Sequence, residues 1–254
     1  MSATRNPSDL SDPHDPSDLS DPNDPHAGGR LLHAGAPLGE AEGAVILLHG
    51  RGGSADDILS LKAALDEGLA GRKIAWLAPE ANGRTWYPNS FLAPREVNEP
   101  YLSSALRRVD SLVRAVAKAG LGPEKIVIGG FSQGACLSTE FIASHPARYA
   151  GLIAWTGGLV GPLGARLEHA GDLGGMPALL LSGDPDPHVP WRRVEESAEV
   201  LTRMGAKVAL RRYPGRPHTV SGDELRLARE SIERAFLQQA GSFDSALTML
   251  GQRA

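Results

Sequence analysis

From Leu31 onward, short apolar runs alternate with stretches whose apolar residues recur every three or four positions. Ala44 to Leu48, Ile74 to Ala78, Ile126 to Gly129, Leu152 to Trp155 and Ala178 to Ser182 are nearly free of polar side chains, the pattern of strands buried on both faces. Lys207 to Tyr213 alternates and predicts a partly exposed edge strand, and a weaker seventh strand falls near Leu31 to Ala34. The intervening stretches read as helices. Ser54 and Asp57 form a capping box for a helix whose inner face is Ile58, Leu61, Leu65 and Leu69. Tyr101 to Ala119 places Leu102, Leu106, Val109, Val113 and Val116 on one side and stops at Gly120, with Pro123 beyond. Ala135 to Ser144 and Trp191 to Met204 follow. Ser221 and Glu224 cap a last helix that turns Leu225, Ala228, Ile232 and Phe236 inward. Residues 79–99 and the glycine-rich 156–175 carry no period and read as loops. This alternation predicts an α/β fold: a mostly parallel, twisted sheet with helices on both faces. Right-handed crossovers then put a site at the carboxyl ends of the strands.

Composition sets the boundaries. The 254 residues, 41% hydrophobic and 22% charged, suit one globular domain, predicted over residues 30–240 with a C-terminal extension at 241–254. Residues 1–29 differ. Within them, 8–25 repeat the nonapeptide Ser-Asp-Leu-Ser-Asp-Pro-His-Asp-Pro, with Asn23 in place of the histidine of the first copy. So few apolar residues cannot offset the entropy of ordering, and a disordered tail is predicted. The aspartates lack the glycine-turned loop and bidentate glutamate of a cation site. Six aspartates against Arg5 give the tail a charge of −5, which leaves the rest of the chain at +1 of the total −4. A near-neutral body argues against a nucleic-acid partner. The single cysteine, Cys136, allows neither an intrachain disulfide nor a cysteine metal cluster. No apolar run is long enough to span a bilayer, and the first thirty residues lack the apolar core of a signal peptide, so a cytoplasmic location is expected.

The chemistry centres on Gly130-Phe131-Ser132-Gln133-Gly134, between a predicted strand and a predicted helix. Gly-x-Ser-x-Gly in that position is a nucleophile elbow, a turn so tight that larger side chains at the flanking glycines would collide. A serine hydroxyl needs a base, and the base needs an acid to orient it, in the chain order Ser, Asp or Glu, His. The loop after Ala178–Ser182 offers Asp184 and Asp186; Asp186 sits deeper and is favoured, with Asp184 the competitor. Of His145, His169, His188 and His218, the first two precede the acid and His188 lies in the acid's own loop. His218, after the last strand and before the last helix, is the expected base. Acyl transfer also needs two backbone N–H groups aimed at the developing oxyanion. Gln133 is expected to supply one and Arg51, in His49-Gly50-Arg51-Gly52-Gly53, the other, with Gly52 as the alternative. Trp86, Tyr87 and Phe91 are expected to contact substrate. Arg51 and Arg84 read first as exposed arginines, with contact to an anionic substrate group the lesser alternative, and 156–175 is an optional second wall. Cys136, inside a buried helix, reads as a core residue. No metal or other cofactor is expected.

The chain resembles the phospholipase/carboxylesterase family of α/β-hydrolases, which includes the acyl-protein thioesterases. The resemblance rests on Leu47 to Gly53, Ala78-Pro79, Ile128 to Ala135, Gly183 to Pro190 and Pro217-His218, in order and spacing over about residues 42–240. It implies the α/β-hydrolase fold and a cofactor-free serine esterase with Ser132, Asp186 and His218 as the triad. The expected substrate is a small or medium ester or thioester, and the expected state a monomer or homodimer. Alternatives are an acyl-protein thioesterase or lysophospholipase activity, a lyase or acyltransferase using the same triad, or a non-catalytic binding protein on this fold. Gly52-Gly53 departs from the Gly-Asp of the eukaryotic thioesterases, and Arg84 to Phe91 matches their substrate-side loop only loosely.

Overall fold

The computed structural model describes residues 24–69 and 71–237. The nonapeptide repeat, apart from Asp24 and Pro25, and the 241–254 extension lie outside them. Seven strands form one sheet in the order β1-β3-β2-β4-β5-β6-β7. They are β1 (Leu31–Gly35), β2 (Gly43–Leu48), β3 (Ile74–Pro79), β4 (Ile126–Phe131), β5 (Gly151–Trp155), β6 (Pro177–Asp184) and β7 (Lys207–Pro214). Only β1, at one edge, is antiparallel, pairing with β3; the other pairings are parallel. The α/β reading holds, and β7 occupies the opposite edge with the alternating exposure its sequence implied.

Helices cover both faces because β2 to β5 are buried on both. On one side α1 (Ala55–Leu59), α2 (Lys62–Leu65) and α6 (Gly222–Leu237) pack Ile58, Leu65, Leu227, Ile232 and Phe236 on Val45, Leu47, Trp76 and Ile153. On the other, α3 (Tyr101–Lys118), α4 (Gln133–Ser144) and α5 (Trp191–Arg203) cover Ile46, Leu48, Ile128 and Leu180. Among the described residues, no helix is long and apolar enough to cross a membrane.

One element departs from expectation. The helix foreseen from Ser54 to Leu69 is three pieces: α1, α2 and a 3₁₀ turn at Glu67–Leu69. The Ser54–Asp57 capping box forms as expected. The Ser60 hydroxyl then donates to the carbonyl of Asp57 at 2.6 Å, the group that the Leu61 N–H would reach in a continuing helix. That N–H turns instead to the carbonyl of Ile58. The helix breaks there while Ile58, Leu65 and Leu69 still reach the core.

Candidate active site

Ser132 directly follows β4, and α4 begins at the next residue. Its backbone, at φ 54° and ψ −117°, is in the sparsely populated region expected of an elbow. Two close approaches explain the glycines. A Cβ on Gly130 would lie 2.5 Å from the Gly134 carbonyl carbon, and one on Gly134 2.1 Å from the Leu48 carbonyl oxygen. The chain can therefore cross from β4 into α4 against the end of β2 only without side chains there.

The structure brings Ser132, His218 and Asp186 together. The serine hydroxyl lies 2.8 Å from Nε2 of His218, and Nδ1 of that ring lies 2.8 Å from Oδ2 of Asp186. The other Asp186 oxygen accepts the N–H groups of His188 and Val189, both at 2.9 Å. Burial alone would raise this carboxyl, but those N–H groups and His218 outweigh it and hold Asp186 below the usual carboxylate range. Nδ1 of His218 thus faces an acceptor, which assigns it the proton and leaves Nε2 free to accept from serine. Asp184 points elsewhere and pairs with Arg212 on β7. The ring of His188 sits edge-on to His218, with centroids 4.8 Å apart.

The loop after β2 lies beside this serine. The N–H of Gly52 already donates to the Arg84 carbonyl at 2.7 Å and that of Gly53 to Gly50, which leaves Arg51 as the stronger candidate donor. Gln133 is the first residue of α4, and N–H groups in a first turn have no helical acceptor. The helix dipole adds partial positive charge at the same end. Both side chains reach the loop after β3. The Arg51 guanidinium donates to the carbonyls of Tyr87, Pro88 and Asn89 at 2.8–2.9 Å. The Gln133 amide accepts from the Trp86 N–H and donates to the Tyr87 carbonyl. The Arg51 guanidinium is thus occupied by its own protein, which counts against the lesser alternative of a role toward an anionic substrate.

A cavity of about 410 Å³ opens over Ser132 and His218. Tyr87 and Phe91 line it, with Phe131, Cys136 and Val189. Trp86 lies beneath, fully buried, its indole N–H on the His49 carbonyl at 2.9 Å. The 156–175 segment does not reach the cavity; it stands behind the lining, where the Gly161 N–H holds the carbonyl of Phe91. Cys136 is buried at the wall, its thiol pushed up to about 12 by burial, so it remains a protonated apolar group. Among the described residues, no group of three or more His, Cys, Asp or Glu side chains could hold a metal ion.

Several supporting roles carried no sequence signal. Arg216, buried in the His218 loop, donates to the carbonyls of Pro217 and Thr219, on either side of the histidine, and to the Thr156 hydroxyl. Its charge lies 3.3 Å from Glu224, the same buried residue that caps α6. Glu140 of α4 is buried between Arg95 and the N–H of Val160. Two buried histidines hold the start of the 79–99 loop. His49 accepts the Ala81 N–H at Nε2 while Nδ1 faces the Gly50 carbonyl. His26 accepts the next N–H, of Asn82, at Nδ1 while Nε2 faces the Trp86 carbonyl. Only periodic or motif-bound residues announce themselves in a sequence; charged or imidazole groups buried by distant partners do not.

Comparison with known proteins agrees with the fold. Residues 35–236 match the model of the family described as Phospholipase/Carboxylesterase. A crystal structure of a phospholipase/carboxylesterase from Dyadobacter fermentans is 44% identical and superposes with a TM-score of 0.75 over 80% of this chain and 96% of that one. Acyl-protein thioesterase 1 of Gibberella zeae is 32% identical over 124 residues, 45% of this chain and only 50% of that protein's length. The protein of the same name from Cryptococcus neoformans is 27% identical over 71% of this chain and 87% of its own.

Proposed function

Because this chain belongs to the phospholipase/carboxylesterase family, we propose that it is a serine carboxylesterase acting through an acyl-enzyme on small to medium oxygen esters or thioesters. The observation that carries the reading is the relay at the mouth of the cavity, from Ser132 to His218 to Asp186, with both contacts at 2.8 Å. Ser132 Oγ attacks the carbonyl carbon as its proton passes to Nε2 of His218. Asp186, held ionised by its N–H partners, stabilises the resulting imidazolium. The N–H groups of Arg51 and Gln133 take the charge on the former carbonyl oxygen. When the tetrahedral adduct collapses, the imidazolium protonates the leaving alcohol or thiol. A water deprotonated by the same ring then attacks the acyl-serine and releases the acid. Tyr87, Phe91, Phe131 and Val189 give the acyl group an apolar wall, and the cavity volume suits a group of modest length.

The test is hydrolysis of p-nitrophenyl esters from acetate to palmitate beside a matching thioester, with fluorophosphonate labelling. Wild type should turn over the shorter esters and carry the label on Ser132. Ser132→Ala should lose the label and lower kcat by roughly 10⁴ to 10⁶. Hydrolysis by that variant near the wild-type rate would refute the assignment.

A further inference from the structure

We propose that the side chains of Arg51 and Gln133 are positioning residues that set the spacing of the two oxyanion donors, because both grip the same stretch of backbone, Trp86 to Asn89. The inference rests on the reading of Arg51 and Gln133 as backbone donors and deepens it.

Two N–H groups must converge within about 3 Å of one oxygen, yet here they come from separate elements. One sits in the loop after β2, the other at the start of α4. The α4 donor is rigid, since its helix is buried and begins at the strained serine. The loop donor lies among Gly50, Gly52 and Gly53, with Gly52 at φ 77°, and its backbone is fixed only after Arg51, by the Gly52 N–H on the Arg84 carbonyl and the Gly53 N–H on that of Gly50. Arg51 supplies a tie through its side chain: three hydrogen bonds to three consecutive carbonyls, those of Tyr87, Pro88 and Asn89. A planar fork of donors can hold such a row; an ammonium, a point charge, cannot. Gln133 completes the tie from the other side. Its amide pairs with the N–H of Trp86 and the carbonyl of Tyr87, so both of its polar atoms are engaged. The Tyr87 carbonyl is shared, accepting from Arg51 and from Gln133. The Trp86 indole adds a bond to the His49 carbonyl, two residues before Arg51. Residues 86–89 thus act as a crossbar between the two halves of the hole, and each donor residue holds the crossbar with its own side chain.

The experiment measures kcat and KM for a short p-nitrophenyl ester, and inhibition by a trifluoromethyl ketone of the same acyl chain, whose hemiketal oxyanion occupies the hole. The variants are Arg51→Met, Gln133→Met, their combination, and the milder Arg51→Lys and Gln133→Glu, with thermal midpoints alongside. Arg51→Met and Gln133→Met are each expected to lower kcat about 10- to 100-fold, below the loss for deleting an oxyanion donor outright, with KM within about threefold. Inhibitor affinity should weaken in proportion to kcat/KM. The double variant should lose less than the product of the single losses, since either change frees the shared crossbar. Arg51→Lys should recover part of the rate and Gln133→Glu should fall below wild type. A variant set that raises KM at unchanged kcat would make the loop a binding wall only and overturn the proposal, as would Arg51→Lys at the full wild-type rate. Should the methionine variants not fold, the Lys and Glu variants decide alone by the same split. If wild type itself neither hydrolyses esters nor labels at Ser132, the parent reading fails instead.

Discussion

The two oxygens of Asp186 have separate work: Oδ2 meets His218, and Oδ1 is fixed by the N–H groups of His188 and Val189. Asp184, two residues earlier, is turned to Arg212 on the neighbouring strand. The difference makes a clean pair of variants. Asp186→Asn is expected to lower kcat by about 10⁴, since an amide cannot stabilise the imidazolium and favours the wrong tautomer. Asp184→Asn should change kcat less than tenfold and act mainly on stability. Steady-state kinetics on a short ester check both; equal losses would contradict the assignment of the acid. This is also where residue-level reading of the sequence stopped. The elbow and the chain order narrowed the acid to two neighbours and the base to one, because those constraints are local or ordinal. Arg216 escaped notice for the opposite reason. Its hold on the backbone around His218 depends on Thr156 and Glu224, and an arginine is exposed by default.

At the scale of elements, the 79–99 loop is the part whose shape the sequence did not reveal. It has no period, and its order comes from side chains far away in the chain. The consecutive N–H groups of Ala81 and Asn82 are accepted by His49 and His26, through opposite ring nitrogens. A protonated ring would face an N–H donor with a donor, and burial depresses the pKa of both histidines below 6.5. His26 lies near Asp24 and Arg108; His49 near Glu80, Asp57 and Arg84; burial outweighs the acidic neighbours at each. A folded value below the unfolded one means that the unfolded chain binds the proton first. Stability is then full above about pH 6.5 and declines as the pH falls from there toward the depressed values, by at most about 1.4 kcal/mol per pH unit per histidine. The thermal midpoint, followed from pH 8 to pH 5 to stay above the carboxylate range, should drop over the lower half of that interval. His26→Gln, which keeps an acceptor and a donor but does not titrate, should flatten the decline; an unchanged slope would show that His26 does not carry it. The Ser54 helix repeats the lesson in miniature: its cap and buried face were legible, but its break was not, because Ser60 competes for one carbonyl.

For the molecule as a whole, the alternation of strands and helices was enough to foresee the sheet and the end of it that bears the site. The ends of β2, β4, β6 and β7 deliver the glycine loop, Ser132, Asp186 and His218 to one rim. The segment before β1 also belongs to that rim. Asp24 pairs with Arg107 and Ser104; burial alone would raise its carboxyl, but these partners and the His26 N–H outweigh it and hold Asp24 below the usual carboxylate range. His26 sits against Trp86, 5.6 Å between rings, and the Asn82 amide donates to the Pro25 carbonyl. A chain beginning at Asp24 should therefore match the full chain in ester turnover. One beginning at Arg30 takes His26 away from the buried Trp86 carbonyl and Ser104 hydroxyl and loses the Asp24 anchor, at a cost of about 1–3 kcal/mol. Its thermal midpoint should fall by roughly 2–10 °C, and differential scanning calorimetry of the two truncations decides the point.

The bonds from Arg51 and Gln133 to residues 86–89 also bear on how such a protein can change its substrates. The loop that walls the cavity is tied by its backbone to the groups proposed to stabilise the transition state. Transplanting a relative's loop for its acyl preference, without the partners that fit its backbone, would disturb turnover together with selectivity. On that proposal, selectivity and rate would be inherited as one unit. The more independent handles on substrate choice are the side chains of Phe91 and Val189, which line the cavity without taking part in that tie.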